Sequence, residues 1–185
     1  EHYSDGAKAL QKFVESDSAS PYYVSAMSDL ALAYYNLGRK QEAMACYEKV
    51  VEYDPQSASA LEAIRSLRDI YVKEDRIDDY FAYAERSGVQ SDMSTAARDS
   101  LTFAAAKSVY REGNMSDARI KLANYLEAFE KGYNRTEALF YLSDCHVALN
   151  DNPSALKTME ELLDQGLNQY TERVLDVYAD MSYDM

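Results

Sequence analysis

Three consecutive residues, Asp144, Cys145 and His146, bring together side-chain types that bind metals or carry acid–base and thiol chemistry. Their spacing argues against that chemistry. Successive residues of a helix point about 100° apart, so three in a row cannot converge on one ion. His146 reads instead as a packing residue. Asn150-Asp151-Asn152 lacks the spaced acids and the distal Glu of a calcium loop and reads as a turn between helices. Asp78-Asp79 and Glu160-Glu161 are adjacent on helices and face apart, unlike a catalytic carboxylate pair. The motifs GxSxG, GxxxxGK[ST] and HExxH are absent. The other histidine is His2, near the start of the chain, so acid–base chemistry has little to draw on. Asn114-Met115-Ser116 and Asn134-Arg135-Thr136 match the glycosylation pattern, which is short enough to arise by coincidence. The chain therefore reads as a protein that is not an enzyme, with no catalytic residue, cofactor or metal.

The 185 residues suffice for a domain with a real core, and the hydrophobic share of 47% excludes a disordered tail. With only 6 Gly and 3 Pro, a turn-rich all-β fold is also excluded. There are 17 Tyr and no Trp; tyrosine suits half-buried helix seams and exposed binding faces. Thirty-two acids against 19 bases give a formal charge of −13, which disfavours nucleic acid and an anionic membrane surface; the charge reads first as a device for solubility, with a preference for basic partners as the alternative. No apolar run approaches the roughly 18 residues of a membrane-spanning helix, so direct membrane insertion is not expected.

The elements that hold these residues are helices in a repeat. Met27, Leu30, Ala31, Tyr34, Gly38, Ala43, Tyr47 and Pro55 follow the marker order of a two-helix repeat, with Met27 in place of Trp and Ala31 in place of Gly. Where two helices approach most closely, nothing larger than Ala fits, and aromatics fill the wedge beside the contact. Pro55 ends the second helix, and Gly38 tolerates the left-handed conformation that closes the first. The small residue recurs: Ala118 lies 75 residues after Ala43, and Ala155 a further 37. Gly6 stands 37 residues before Ala43, whereas 37 after it stands Tyr80, which makes the repeat around Ile64–Ser87 degenerate. Gly113 and Asn150 precede their alanines as Gly38 precedes Ala43, and Gly88, Gly132 and Gly166 fall where second helices should end. In the last complete repeat Asn152 is the expected cap, with Pro153 in the first turn.

The register predicts ten helices, at 6–16, 22–37, 40–53, 57–74, 77–87, 93–112, 115–130, 135–149, 153–164 and 170–181. The expected fold is all-α, a solenoid of antiparallel helix pairs in a right-handed superhelix. It is a single array over 1–185: half repeat 1–20, repeats at about 21–57, 58–92, 93–133 and 134–168, and half repeat 169–185. Cys46 and Cys145, nearly three repeats apart, are too far apart for a disulfide and read as small buried hydrophobes, which leaves the redox compartment open. Val174, Val177 and Tyr178 do not look like a polar cap, so the array is expected to be part of a longer protein. Self-association through 170–181 is a further expectation.

Over essentially its whole length the sequence resembles the tetratricopeptide repeat family. Lys12-Phe13-Val14-Glu15, Ser20-Pro21-Tyr22 and Ala31-Leu32-Ala33-Tyr34-Tyr35-Asn36-Leu37-Gly38 look like the subfamily of bacterial cell-envelope proteins, the Tol–Pal accessory and outer-membrane assembly lipoprotein types. The resemblance implies a solenoid that binds a peptide or protein in its concave groove without a cofactor, in the periplasm or cell envelope, with the cytoplasm as alternative. It implies that first helices line the groove. Carried over, the lining is Ser28, Leu32, Tyr35 and Asn36; Arg65, Asp69, Val72 and Lys73; Phe103, Lys107, Tyr110 and Arg111; and Phe140, Asp144, Val147 and Ala148. Arg65, Lys107 and Arg111 would form a basic spot, suited with the four aromatics to a segment carrying an acidic group and an apolar anchor. The competing expectation is that the aromatics pack against neighbouring first helices and the bases pair with nearby acids. Asn36 alone does not supply the Lys/Asn set of a chaperone-type carboxylate clamp. Two other readings stand beside the adaptor: a spacer in a longer solenoid, and a recognition domain attached to an enzyme.

Overall fold

The computed structural model describes residues 2–89 and 94–183. Among them are ten helices and no strand: α1 (His2–Ser16), α2 (Tyr23–Asn36), α3 (Lys40–Tyr53), α4 (Ala58–Lys73), α5 (Ile77–Ser87), α6 (Thr95–Arg111), α7 (Met115–Ala128), α8 (Arg135–Ala148), α9 (Asn152–Leu163) and α10 (Thr171–Tyr183). The expected start of the sixth helix, residue 93, lies outside the described residues. The helices form two compact units, Glu1–Met93 and Ser94–Met185.

The turn inside each repeat has one construction. A residue in the left-handed region closes the first helix: Gly38 (φ 75°), Asp75 (φ 59°), Gly113 (φ 83°) and Asn150 (φ 58°). The next residue then sends its N–H back to the carbonyl five positions earlier, Arg39 to Tyr34 at 2.9 Å, Arg76 to Tyr71 at 2.8 Å, Asn114 to Val109 at 3.3 Å and Asp151 to His146 at 2.9 Å. This is the bond pattern that satisfies the orphan carbonyls of a helix end. Asp and Asn can replace glycine here because their short polar side chains tolerate the left-handed region. The degenerate repeat thus keeps its turn although its glycine is missing. In the last complete repeat the cap is Asp151, whose Oδ1 accepts from Ser154 N at 3.4 Å; the expected cap Asn152 is already the first residue of the helix.

In the first unit α2 and α3 cross at Ala31 and Ala43, both with no exposed surface. Tyr34 donates from its hydroxyl to Gln11 Oε1 at 3.1 Å and ties α1 to α2. In the α4–α5 pair Tyr80 occupies the position held elsewhere by alanine. It is 4% exposed and packs its ring on Tyr71 and Phe81, with centroids 6.4 and 5.1 Å away. The pair still forms, with the least extensive contact of the four. Gly6 shares the alanine register but is exposed, with open space where a Cβ would stand, so its small size meets no close contact.

In the second unit Ala118 and Ala155 have no exposed surface, and Leu122, Tyr125, Leu139, Met159 and Leu162 fill the core around them. Val174 joins that core, with Val177 and Tyr178 packed against it, while Leu175 of the same helix is 48% exposed. The buried carboxylate of Asp99 organises the join of α6, α7 and α8. It accepts from the Tyr125 hydroxyl at 2.5 Å, from Tyr133 N at 2.7 Å and from Asn134 Nδ2 at 3.3 Å. Tyr125 Oη accepts in turn from Asn134 N at 3.2 Å, at the start of α8. Gly132 is needed in this join for space. A Cβ there would stand 2.6 Å from Tyr125 Oη and 2.9 Å from Phe129 Cβ.

Candidate protein-binding faces

The first helices carry the expected lining residues at i, i+4, i+7 and i+8, one stripe per helix. In the first unit the stripes of α2 and α4 lie side by side. Leu32 is 50% exposed in the middle of the α2 stripe. Arg65, on α4, is exposed and makes no ion pair among the described residues. At the C-terminal ends of the two helices Lys73 Nζ donates to Tyr35 Oη at 2.5 Å and sits 5.3 Å from the centre of that ring. Asp69 is held by its neighbour Arg68, which donates from both Nε and a terminal nitrogen to Oδ1 at 3.1 and 3.0 Å. Asn36 turns back on its own helix, donating from Nδ2 to Leu32 O at 2.9 Å. Ser28 likewise donates to Val24 O at 3.1 Å. The face thus presents an aliphatic side chain, a guanidinium, an exposed carboxylate paired with its neighbour, and an ammonium joined to a phenol.

The stripes of the second unit have a different fate. Phe103 and Phe140 are core residues, 5% and 6% exposed. Phe103 packs on Tyr125 and Tyr141, and Phe140 stacks on Tyr170 with centroids 4.4 Å apart and planes 17° apart. Lys107, over the rings of Phe103 and Tyr141, is paired with Glu137 of α8 at 2.5 Å. Tyr110 donates to Asp144 Oδ2 at 2.9 Å, and the same oxygen receives Arg173 of α10 at 3.1 Å. The two carboxylates of α8 therefore fasten the first helices together. Arg111, in the last turn of α6, is exposed and unpaired among the described residues.

The titration behaviour follows from these contacts. The hydrogen bond to Glu137 raises Lys107 above its ordinary value. Partial burial pushes Glu137 up, but the hydrogen bonds from Lys107 and Tyr141 and the Lys107 charge outweigh it, so Glu137 stays below its ordinary value. Tyr110 is pushed up to about 12, first by burial and then by its bond to Asp144. At neutral pH the ladder holds charged Lys107 and Glu137 and protonated tyrosines.

Asp144, Cys145 and His146 diverge as their spacing predicts. Asp144 faces Tyr110 and Arg173, and Cys145 is buried with its thiol raised to about 11 by desolvation. His146 lies with Nδ1 3.3 Å from Asp151, and burial lowers its pKa. Cys46 and Cys145 are both free. No group of three His, Cys, Asp or Glu side chains is placed to hold a metal among the described residues, and no described helix is long and apolar enough to cross a membrane. A shallow cleft of about 370 Å³ opens beside Asp99, lined also by Phe129, Lys131, Gly132 and Tyr133. The Asp99 oxygens already serve structural donors there.

Glu137, Tyr141, Tyr170 and Arg173 were not among the expected site residues. Glu137 and Tyr141 are one helical turn apart, with a hydrogen bond of 3.0 Å between them. That spacing is visible in the sequence, but their partners on α6 are thirty or more residues away.

Two sequence profiles described as tetratricopeptide repeat match the chain, one over residues 24–57 and the other over 103–169. Together they span more than half of it and leave out α4 and α5, the degenerate pair. No curated protein matches. Among solved structures the chain is similar to YrrB, whose crystal structure is described as that of a TPR protein with an unusual peptide-binding site. The identity is 20%, the alignment covers 96% of this chain and 94% of that one, and the TM-score is 0.39.

Proposed function

We propose, from the premise that this is a tetratricopeptide repeat chain, that it is a non-catalytic scaffold holding a peptide or protein segment against its first helices. The observation that carries the reading is the α2–α4 face. There a half-exposed leucine of α2 and an exposed arginine of α4 belong to the facing stripes of two neighbouring helices, on a protein of charge −13. Arginine is among the side chains enriched at interfaces and their hot spots. The finer reading, a bacterial envelope assembly, rests on the resemblance of residues 12–15, 20–22 and 31–38 to envelope repeat proteins. Fractionation of the source cells tests it separately.

The test of the scaffold is affinity capture with the native chain and with Leu32→Ser, Arg65→Glu and Arg111→Glu together. All three sites are exposed, so the variant keeps the fold, which circular dichroism checks. A set of proteins retained by the native chain and lost by the variant supports the scaffold; identical recovery counts against it. Phe103 and Phe140 are unsuitable probes. Truncating a buried phenylalanine costs about 3–5 kcal/mol, so lost binding would report unfolding.

A second reading, that part of the chain is a spacer, is favoured for the second unit by its own contacts. Its lining residues are largely used in joining α6, α8 and α10.

A further inference from the structure

We infer that the second helices of the first unit carry a site for a small molecule. The cleft between the C-terminal ends of α3 and α5 takes a small zwitterion with an apolar side chain, an α-amino acid or a dipeptide. The site lies on helices that the scaffold reading does not use, so either reading can fail alone.

The cleft has a cause in the degenerate repeat. Where α2 and α3 cross, Ala31 and Ala43 have no exposed surface. In the α4–α5 pair the ring of Tyr80 stands at the crossing instead, and the two helices make the least extensive contact of the four pairs. At the far end of α5 a cleft of about 390 Å³ opens toward α3. Val51, Glu52 and Pro55 line it from the α3 side, and Tyr83, Arg86 and Ser87 from α5. Ligand sites run from about 300 to about 1,000 Å³, so this one suits a small occupant. Gln56 Nε2 donates to Gly88 O at 3.1 Å, which ties the linker after α3 to the end of α5.

The lining carries charges of both signs that do not meet. Glu52 and Arg86 are exposed, and neither makes an ion pair among the described residues. The α3 wall thus offers an acceptor and the α5 wall a donor. Glu48, one turn before Glu52, is half-buried. Burial and then the Glu52 charge push its carboxyl above the ordinary value. A positive charge beside Glu52 relieves that repulsion, and the C-terminal end of a helix favours cations as well. The α3 wall therefore receives an ammonium. The guanidinium of Arg86 matches a carboxylate, which it can bind through two parallel N–H bonds.

Val51, Pro55 and the Tyr83 ring supply apolar surface to the same cleft. The Tyr83 hydroxyl is buried and makes no hydrogen bond within the protein, so a ligand that shifts the ring breaks none. Ser87 is already used, its hydroxyl donating to Ala84 O at 2.9 Å. Singly charged molecules fit less well. An anion meets Glu48, Glu52 and a net charge of −13, and a cation meets Arg86. A zwitterion is neutral overall and satisfies both walls.

The experiment is a titration of the isotope-labelled full chain with free leucine, free phenylalanine and their dipeptides, followed by amide NMR shifts. N-acetyl-leucine lacks the ammonium and leucine amide lacks the carboxylate. The zwitterions are expected to shift the amides of Val51, Tyr83 and Ser87 at concentrations up to about 10 mM. Each blocked form should bind about tenfold more weakly, or worse. Glu52→Gln should abolish the preference for leucine over N-acetyl-leucine, and Arg86→Gln the preference over leucine amide. Both side chains are exposed, so both variants keep the fold. Absence of shifts with every zwitterion, a blocked form that binds as well as leucine, or a preference that survives its substitution overturns the inference.

Discussion

A buried carboxylate is tolerated only when its lone pairs are occupied, and Asp99 meets that condition with three donors from two places in the chain. Replacing it with alanine strands the Tyr125 hydroxyl and the Tyr133 N–H. Asp99→Ala should therefore cost about 3 kcal/mol, read from the urea midpoint at unchanged slope. Nothing in the sequence around Asp99 marks it as buried, since its partners lie 26 to 35 residues away. Phe103 and Phe140 are illegible for a related reason. The family resemblance assigned their face, but their depth is set by Tyr141 and Tyr170 arriving from other elements. The same holds for Lys107, whose positive charge is visible in the sequence and whose neutralisation by Glu137 is not. That pair gives a pH dependence of definite sign. Glu137 titrates in the folded chain below its ordinary value of 4.5, so its contribution is present above that value and is lost as the pH falls through the folded one. Glu137→Gln should flatten the loss of stability as the pH falls below the ordinary carboxylate value, measured by urea denaturation at each pH.

At the scale of the helix pair the sequence was more informative. The alanines at 43, 118 and 155 mark three close crossings, all completely buried. The observed helices begin and end within two residues of expectation except α1, which starts at His2 rather than at 6. The reason is local. Turn chemistry and a close contact both act within a few residues, and each leaves a required residue type behind. Ala118→Leu should cost about 1–3 kcal/mol by overpacking the α6–α7 contact, read from thermal unfolding. Unchanged stability would show that the pair does not cross there. Tyr80 shows how far the rule bends. A pair with a tyrosine at the crossing still forms, with a thinner contact, because the turn at Asp75 survives and Tyr71 and Phe81 give the ring a place.

For the whole molecule the governing quantity is charge. Most ion pairs among the described residues have a partner at least a third exposed, and such pairs add little to stability. The net charge of −13 acts on every helix at once, and salt at physiological strength screens it beyond about 8 Å. The melting temperature at pH 7 should therefore rise when salt is raised from low to physiological strength, followed by far-ultraviolet circular dichroism. A fall would mean that the individual pairs outweigh the general repulsion. Composition made this property legible at once, because net charge needs no knowledge of contacts.

The hydrogen bond between Tyr35 and Lys73 closes one end of the α2–α4 face, in a chain with 17 tyrosines and no tryptophan. The protein is consequently dark at the red edge of aromatic absorption, where only tryptophan responds. A partner that brings one tryptophan to that face would emit against no background from the scaffold, and its colour would tell whether the indole lies wet or dry beside Leu32.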